Sequence, residues 1–142
     1  MINNTTEKIT LLFYKLWSEK GIVTDEPIAI ETGDDIDFEC DDEPLRQKLL
    51  SVVDGNIVLL KNALTFMEQE NIFSCKKRNL ADRNVILFGI TMEPKAIKMV
   101  EGLVSGNKDY QKQYNKTFAL NLNFSAINLG SFLDARLGDV KL

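Results

Sequence analysis

Histidine is missing from the sequence altogether, and with it the side chain that most often serves as general base and as metal ligand near neutral pH. Catalytic triads, histidine-ligated zinc hydrolases and histidine-dependent nucleases are thereby excluded. Cysteine occurs only twice, at Cys40 and Cys75, without the short C-x-x-C spacing of a zinc knuckle or redox pair. Two free thiols are expected, and Cys75, followed by three cations, is expected to have a lowered pKa if exposed. No apolar run approaches the roughly 20 residues needed to cross a bilayer, and the first residues lack the basic-then-apolar layout of a secretory leader. The expectation is a cytoplasmic, non-enzymatic protein with no membrane association, no cofactor and no bound metal.

What is present suits one ordinary core: 142 residues, 44% of them hydrophobic, are too few for two comfortable domains. The net charge of −4 is unevenly spread. Residues 1–44 hold twelve acidic against three basic residues, whereas residues 57–99 hold seven basic against four acidic ones. Any nucleic-acid surface is therefore expected in the middle of the chain, and any surface for a basic partner at the front.

Residues 4–20 read as an amphipathic helix, since Ile9, Leu12, Phe13, Leu16 and Trp17 recur at helical spacing. Asn4 is placed to cap it, with Glu7 as the carboxylate of a capping box and Gly21 at the far end. Phe13, Trp17 and Phe66 are assigned to the core. From Ile22 to Glu43 the helical period disappears, and residues 35–41 alternate between acids (Asp35, Asp37, Glu39, Asp41) and Ile36, Phe38 and Cys40, the pattern of a short solvent-faced strand. Pro44 suits the first turn of a second helix capped by Asp41 or Asp42, with Leu45, Leu49, Val52 and Val53 facing in. Asp54-Gly55-Asn56 breaks it, and a third helix follows to about Glu70 with Ile57, Leu60, Ala63, Leu64 and Met67 buried. Two helices joined by a short glycine-containing turn make a helix-turn-helix outline.

Two extended segments, near 72–77 and 84–91, read as a hairpin around the polar stretch Arg78 to Arg83. Pro94 then begins a helix carrying Ile97, Val100, Leu103 and Val104. Beyond Gly106 the polar stretch to Lys116 has Tyr110 and Tyr114 one helical turn apart. Leu120, Leu122 and Phe124 alternate like a strand, and Ala126, Leu129, Phe132 and Leu133 suit a closing helix. The organisation read from this is residues 1–105 as a domain and 106–142 as a C-terminal extension, used for packing or dimerisation.

The segment Ala63-Leu64-Thr65-Phe66-Met67-Glu68-Gln69-Glu70-Asn71-Ile72-Phe73, the hairpin, and then Gly89-Ile90-Thr91-Met92-Glu93-Pro94-Lys95-Ala96-Ile97 resemble the latter half of winged-helix domains of the bacterial and phage type. The resemblance covers under half the chain. It implies an α+β, mainly helical fold with a winged helix-turn-helix core, and a regulator of transcription or replication in a bacterium or mobile element. It further implies double-stranded DNA as partner, a homodimeric state, and a third helix in the major groove with the hairpin on phosphates. Carried onto this sequence, the groove-facing candidates are Lys61, Asn62, Thr65 and Gln69, and the wing candidates are Lys76, Lys77, Arg78 and Arg83. Lysine and arginine neutralise phosphates, and asparagine and glutamine pair with adenine edges. Glu68 and Glu70 depart from that pattern by repelling phosphate.

The acidic run from Asp34 to Glu43 admits other readings. A calcium loop needs a central glycine, and here Ile36 and Phe38 interrupt the oxygens. A solvated face that keeps an edge strand unpaired is preferred. The rival to DNA binding is a protein-interaction module, an inhibitor, adaptor or nucleic-acid mimic, docking a basic protein through Asp35, Asp37, Glu39, Asp41 and Asp42.

Overall fold

A computed structural model describes residues 2–81, 83–122 and 128–138, with only the backbone described for residues 2–4. Among the described residues the fold is α+β, with six helices and a four-stranded antiparallel sheet. It opens with helix α1 (Ile2–Lys20), followed by strands β1 (Ile28–Thr32) and β2 (Ile36–Cys40). Helices α2 (Glu43–Val53) and α3 (Ile57–Gln69) come next, then strands β3 (Phe73–Ser74), β4 (Lys77–Leu80), β5 (Asn84–Phe88) and β6 (Thr91–Met92). Helices α4 (Pro94–Val104), α5 (Lys108–Phe118) and α6 (Leu129–Leu137) close the chain.

Helix α1 is the centre of the molecule. The stripe of Ile9, Leu12, Phe13 and Leu16 is buried as its spacing predicts, but Thr6, Thr10, Leu11 and Tyr14 are buried as well. The helix packs against α2 and α3, against β6, and against α5 and α6. The expected capping box does not form: the helix starts at Ile2, upstream of Asn4, and Glu7 is buried in a pairing with the C-terminal helices. Phe13 is fully buried, and Trp17 and Phe66 are partly buried against the same core.

Helices α2 and α3 form where the caps predict. Asp42 caps α2, accepting from the Leu45 N–H at 3.2 Å, and Asn56 caps α3, accepting from the Leu59 N–H at 3.0 Å. Between them Asp54 and Gly55 both take positive φ, 53° and 76°, which turns the chain sharply enough for the two helix axes to diverge by 102°.

The sheet order is β2-β1-β5-β4. Strand β1, unassigned by sequence, joins the two hairpins: Ile30 faces Phe38 on one side and Val85 on the other. Ile28, Ile30, Phe38, Cys40, Val85 and Leu87 are buried, and β1 and β2 pack against α3. Strands β3 to β6 form a single hairpin, because Phe73 opposite Met92 and Lys77 opposite Phe88 share one register. Its ladder is interrupted where Ile90 turns to exchange backbone hydrogen bonds with Thr24 and Val23, in the segment before β1.

Residues 108–118 form a separate helix, capped by Asn107, whose side chain accepts from the Asp109 and Tyr110 N–H groups. Leu120 and Leu122 are not in a strand. The Asn115 side chain bonds both the N–H and the C=O of Leu122, at 3.0 and 2.8 Å, which occupies the groups a ladder would need. Phe124 and Ala126 lie outside the described residues.

Candidate nucleic-acid interface

Burial of Leu60, Ala63, Leu64 and Met67 fixes the rotation of α3 and therefore what it shows to solvent. The outward line is Val58, Asn62, Thr65 and Gln69, at the four-three-four spacing of one helix face. Asn62 and Gln69 are exposed, whereas Thr65 is half-buried and its hydroxyl donates to the Lys61 C=O at 2.8 Å. That bond leaves Thr65 its oxygen as an acceptor. Lys61, also half-buried, flanks the line.

The basic cluster lies elsewhere on the hairpin than its order in the sequence predicts. The strand continues through Leu80, and the turn is closed by the Ala81 N–H donating to the Asn84 C=O at 2.9 Å. Lys76, Lys77 and Arg78 are therefore at the end of β4 away from the turn, beside the C-terminal half of α3. The tie is an ion pair between Arg78 and Glu68, in which the Arg78 side chain remains 60% exposed and that of Glu68 only 11%. The Glu68 charge, a liability near phosphate, is thus compensated from the neighbouring strand.

Gly89 makes room for this cluster. Its φ of 62° is left-handed, and a Cβ there would lie 2.8 Å from the Lys76 Cδ, so the lysine stem runs directly over the glycine backbone. With Glu68, Asn71, Ser74, Cys75 and Glu93, the cluster surrounds a groove of about 240 Å³.

Arg83 is separated from the other bases. Its C=O accepts from the Thr32 N–H and hydroxyl at 2.7 and 3.1 Å. Its side chain crosses Gly33, where a Cβ would be 3.3 Å from the Arg83 Cδ. Arg83 accordingly sits against the acidic turn between β1 and β2.

The acidic set is divided too. Asp37 and Glu39 point to the outer face of β2, joined there by Glu31 of β1, which the sequence pattern does not single out; Asp35 and Asp41 are exposed at the two ends of β2. Glu31 stands directly opposite Asp37. With Ala29, Asn84 and Ile86 these three acids line a depression of about 330 Å³ on the sheet face turned away from the helices. Asp42 differs, because one oxygen caps α2 and the other accepts from the Thr24 hydroxyl at 2.9 Å.

Neither cysteine is activated. Burial pushes the Cys40 thiol up, and burial likewise pushes Cys75 up, outweighing the hydrogen bond to the Phe88 backbone. The lowered pKa expected of an exposed Cys75 does not arise, because the side chain is half-buried and desolvation raises the thiol instead. Among the described residues no group of three or more cysteine, aspartate or glutamate side chains is placed to hold a metal ion, and no single helix is long and apolar enough to cross a membrane.

Val58, 42% exposed, is the member of the α3 face that the sequence pattern leaves out. A signal for it is present, since Val58 lies one turn before Asn62, but a valine in an apolar run reads as core. Comparison with protein-family models, with curated proteins and with solved structures found no match.

Proposed function

We propose that this protein is a winged-helix module that binds double-stranded DNA, with α3 as the reading helix and β4–β5 as the wing. The observation that carries this reading is the arrangement around α3. The α2 and α3 axes diverge by 102°, within the range of helix-turn-helix units. The returning strand of the following hairpin, β5, pairs with β1, the strand that follows α1. This leaves the polar α3 face bordered by Lys61 on the helix and by Lys76, Lys77 and Arg78 on the hairpin. Phosphate neutralisation by these bases would position the module, and Asn62 and Gln69 would meet base edges. A role in transcription or replication control follows from such an activity.

Affinity for a mixed-sequence duplex across a salt series tests the reading. Binding that weakens steeply with salt supports it, and replacing Lys76 and Lys77 by Gln is expected to flatten the slope by about 0.9 for each phosphate no longer neutralised. No binding at low salt overturns the reading. Light scattering on the same sample reports whether the module acts as a homodimer.

A second reading is favoured by the pairing of Glu31 with Asp37. Like charges directly opposite each other destabilise a sheet, and a basic protein partner on this outer face would relieve the repulsion. Charge reversal at Glu31, Asp37 and Glu39 that leaves every bound protein in place argues against it.

A further inference from the structure

The line of exposed residues on α3 begins with an apolar side chain. Val58 is 42% exposed in the first turn of the helix, while the buried face is supplied by Leu60, Ala63, Leu64 and Met67. One turn on stands Asn62, exposed, on the same face. Side chains four residues apart on a helix are neighbours, with Cβ atoms about 5–6 Å apart. That separation spans one to two base-pair steps of about 3.4 Å.

The chemistry of the two side chains is specific. On the major-groove edges of the four bases the thymine C5-methyl is the apolar group, and an exposed valine methyl pair is its natural contact. Adenine presents an acceptor at N7 beside a donor at N6, and the asparagine amide offers the matching donor and acceptor in one plane. Guanine, with two acceptors on that edge, satisfies only the amide donor. The N-terminal part of a recognition helix is also the part that lies deepest against base edges.

We infer that Val58 and Asn62 act together as a reader of a thymine and a nearby adenine, so that the module selects A·T-containing duplexes. The inference rests on the DNA-binding reading above. Gln69, two turns farther along, extends the contact toward the next adenine, while Thr65, its hydroxyl proton engaged by the helix backbone, contributes shape.

The test is selection of bound duplexes from a random pool by the full chain, followed by affinities for the selected duplex and two modified versions. Replacing thymine by deoxyuridine removes only the methyl group, and replacing adenine by 7-deazaadenine removes only N7. The wild-type protein is expected to lose about tenfold in affinity at one thymine and at one adenine. Val58→Ala is expected to be indifferent to deoxyuridine there, and Asn62→Ala to 7-deazaadenine; both sites are on the surface, and unchanged thermal melting confirms the fold. Salt-dependent binding without A·T enrichment, or with no sensitivity to either modification, overturns this inference while leaving DNA binding intact. Absence of binding to any duplex removes both.

Discussion

Arg136, in α6, holds the carboxylate of Glu7, in α1, with two donors on one edge of its guanidinium: Nε donates to Oε2 at 3.0 Å and Nη2 to Oε1 at 2.5 Å. The Glu7 side chain is 2% exposed and that of Arg136 28%. Tyr114, from α5, donates its hydroxyl to the same carboxylate. Burial, then the neighbouring charge of Glu7, pushes the Tyr114 phenol well above its ordinary range and keeps it a donor. One buried acid thus ties the first helix to the last two, and a bidentate charge-assisted pair fixes their orientation as well as their distance.

Removing Arg136 leaves that carboxylate uncompensated in the core. Arg136→Ala is expected to lower stability by about 3 kcal/mol, the usual consequence of breaking a buried pair, seen as a lower urea midpoint. A replacement of the whole cluster, Glu7→Leu with Arg136→Met and Tyr114→Phe, is expected to recover most of the loss, since it leaves no buried polar group unpaired. A single variant within about 0.5 kcal/mol of wild type, the range of ordinary surface changes, contradicts the anchoring role.

Gly102 lies within α4, where alanine is ordinarily better by about 1 kcal/mol. Here a Cβ would run into the Tyr110 ring, 2.6 Å from its Cγ, so the ring rests on bare backbone. Gly102→Ala is expected to destabilise by about 1–3 kcal/mol through overpacking, and Tyr110→Ala in the same chain to abolish that penalty. A rise in the unfolding midpoint for Gly102→Ala alone contradicts the packing.

The rung joining Glu31 and Asp37 is expected to cost stability at neutral pH. Asp37→Thr removes the repulsion and supplies a strand-favouring residue, so a gain of roughly 0.5 kcal/mol is expected, shrinking as salt rises. A loss of stability at low salt shows that the repulsion is already compensated.

Tyr14 donates to Glu101 Oε2 at 2.9 Å. Burial, then this hydrogen bond and the charge of Glu101, raises its phenol from 10.0 to about 12. The folded state therefore keeps the proton where the unfolded state releases it. The resulting stability is complete below pH 10.0 and is lost as pH climbs toward about 12. Denaturant midpoints across that window are expected to fall less steeply for Tyr14→Phe than for wild type. Tyr114, raised in the same direction, keeps some slope in the variant. Identical slopes in the two proteins remove the assignment to Tyr14.

The helical core was legible because its signals are local. Asp42 and Asn56 cap within three residues, the Asp54-Gly55 break needs only positive φ, and the buried faces of α2 and α3 repeat every turn. Strand β1 carried no such signal, since Ile28-Ala29-Ile30 shows little alternation and its partners are β2 and the distant β5. The candidate site divided in the same way: the buried side of α3 followed from its periodicity, whereas its exposed Val58 and the grouping of the bases and acids did not.

Composition and periodicity by themselves determined that the chain has no histidine chemistry, that helices flank a glycine-containing turn, and that Leu60, Ala63, Leu64 and Met67 of α3 turn inward. Tertiary structure alone decided that Arg78 is paired with Glu68, that Arg83 lies apart from the lysines, that the second oxygen of Asp42 accepts from the Thr24 hydroxyl, and that Glu7 is a buried anchor rather than a capping residue. The reason is range: a cap or an amphipathic stripe is settled within a turn or two of chain. The pairing of Glu7 with Arg136 joins side chains 129 residues apart, and only the folded packing of α1, α5 and α6 brings them together.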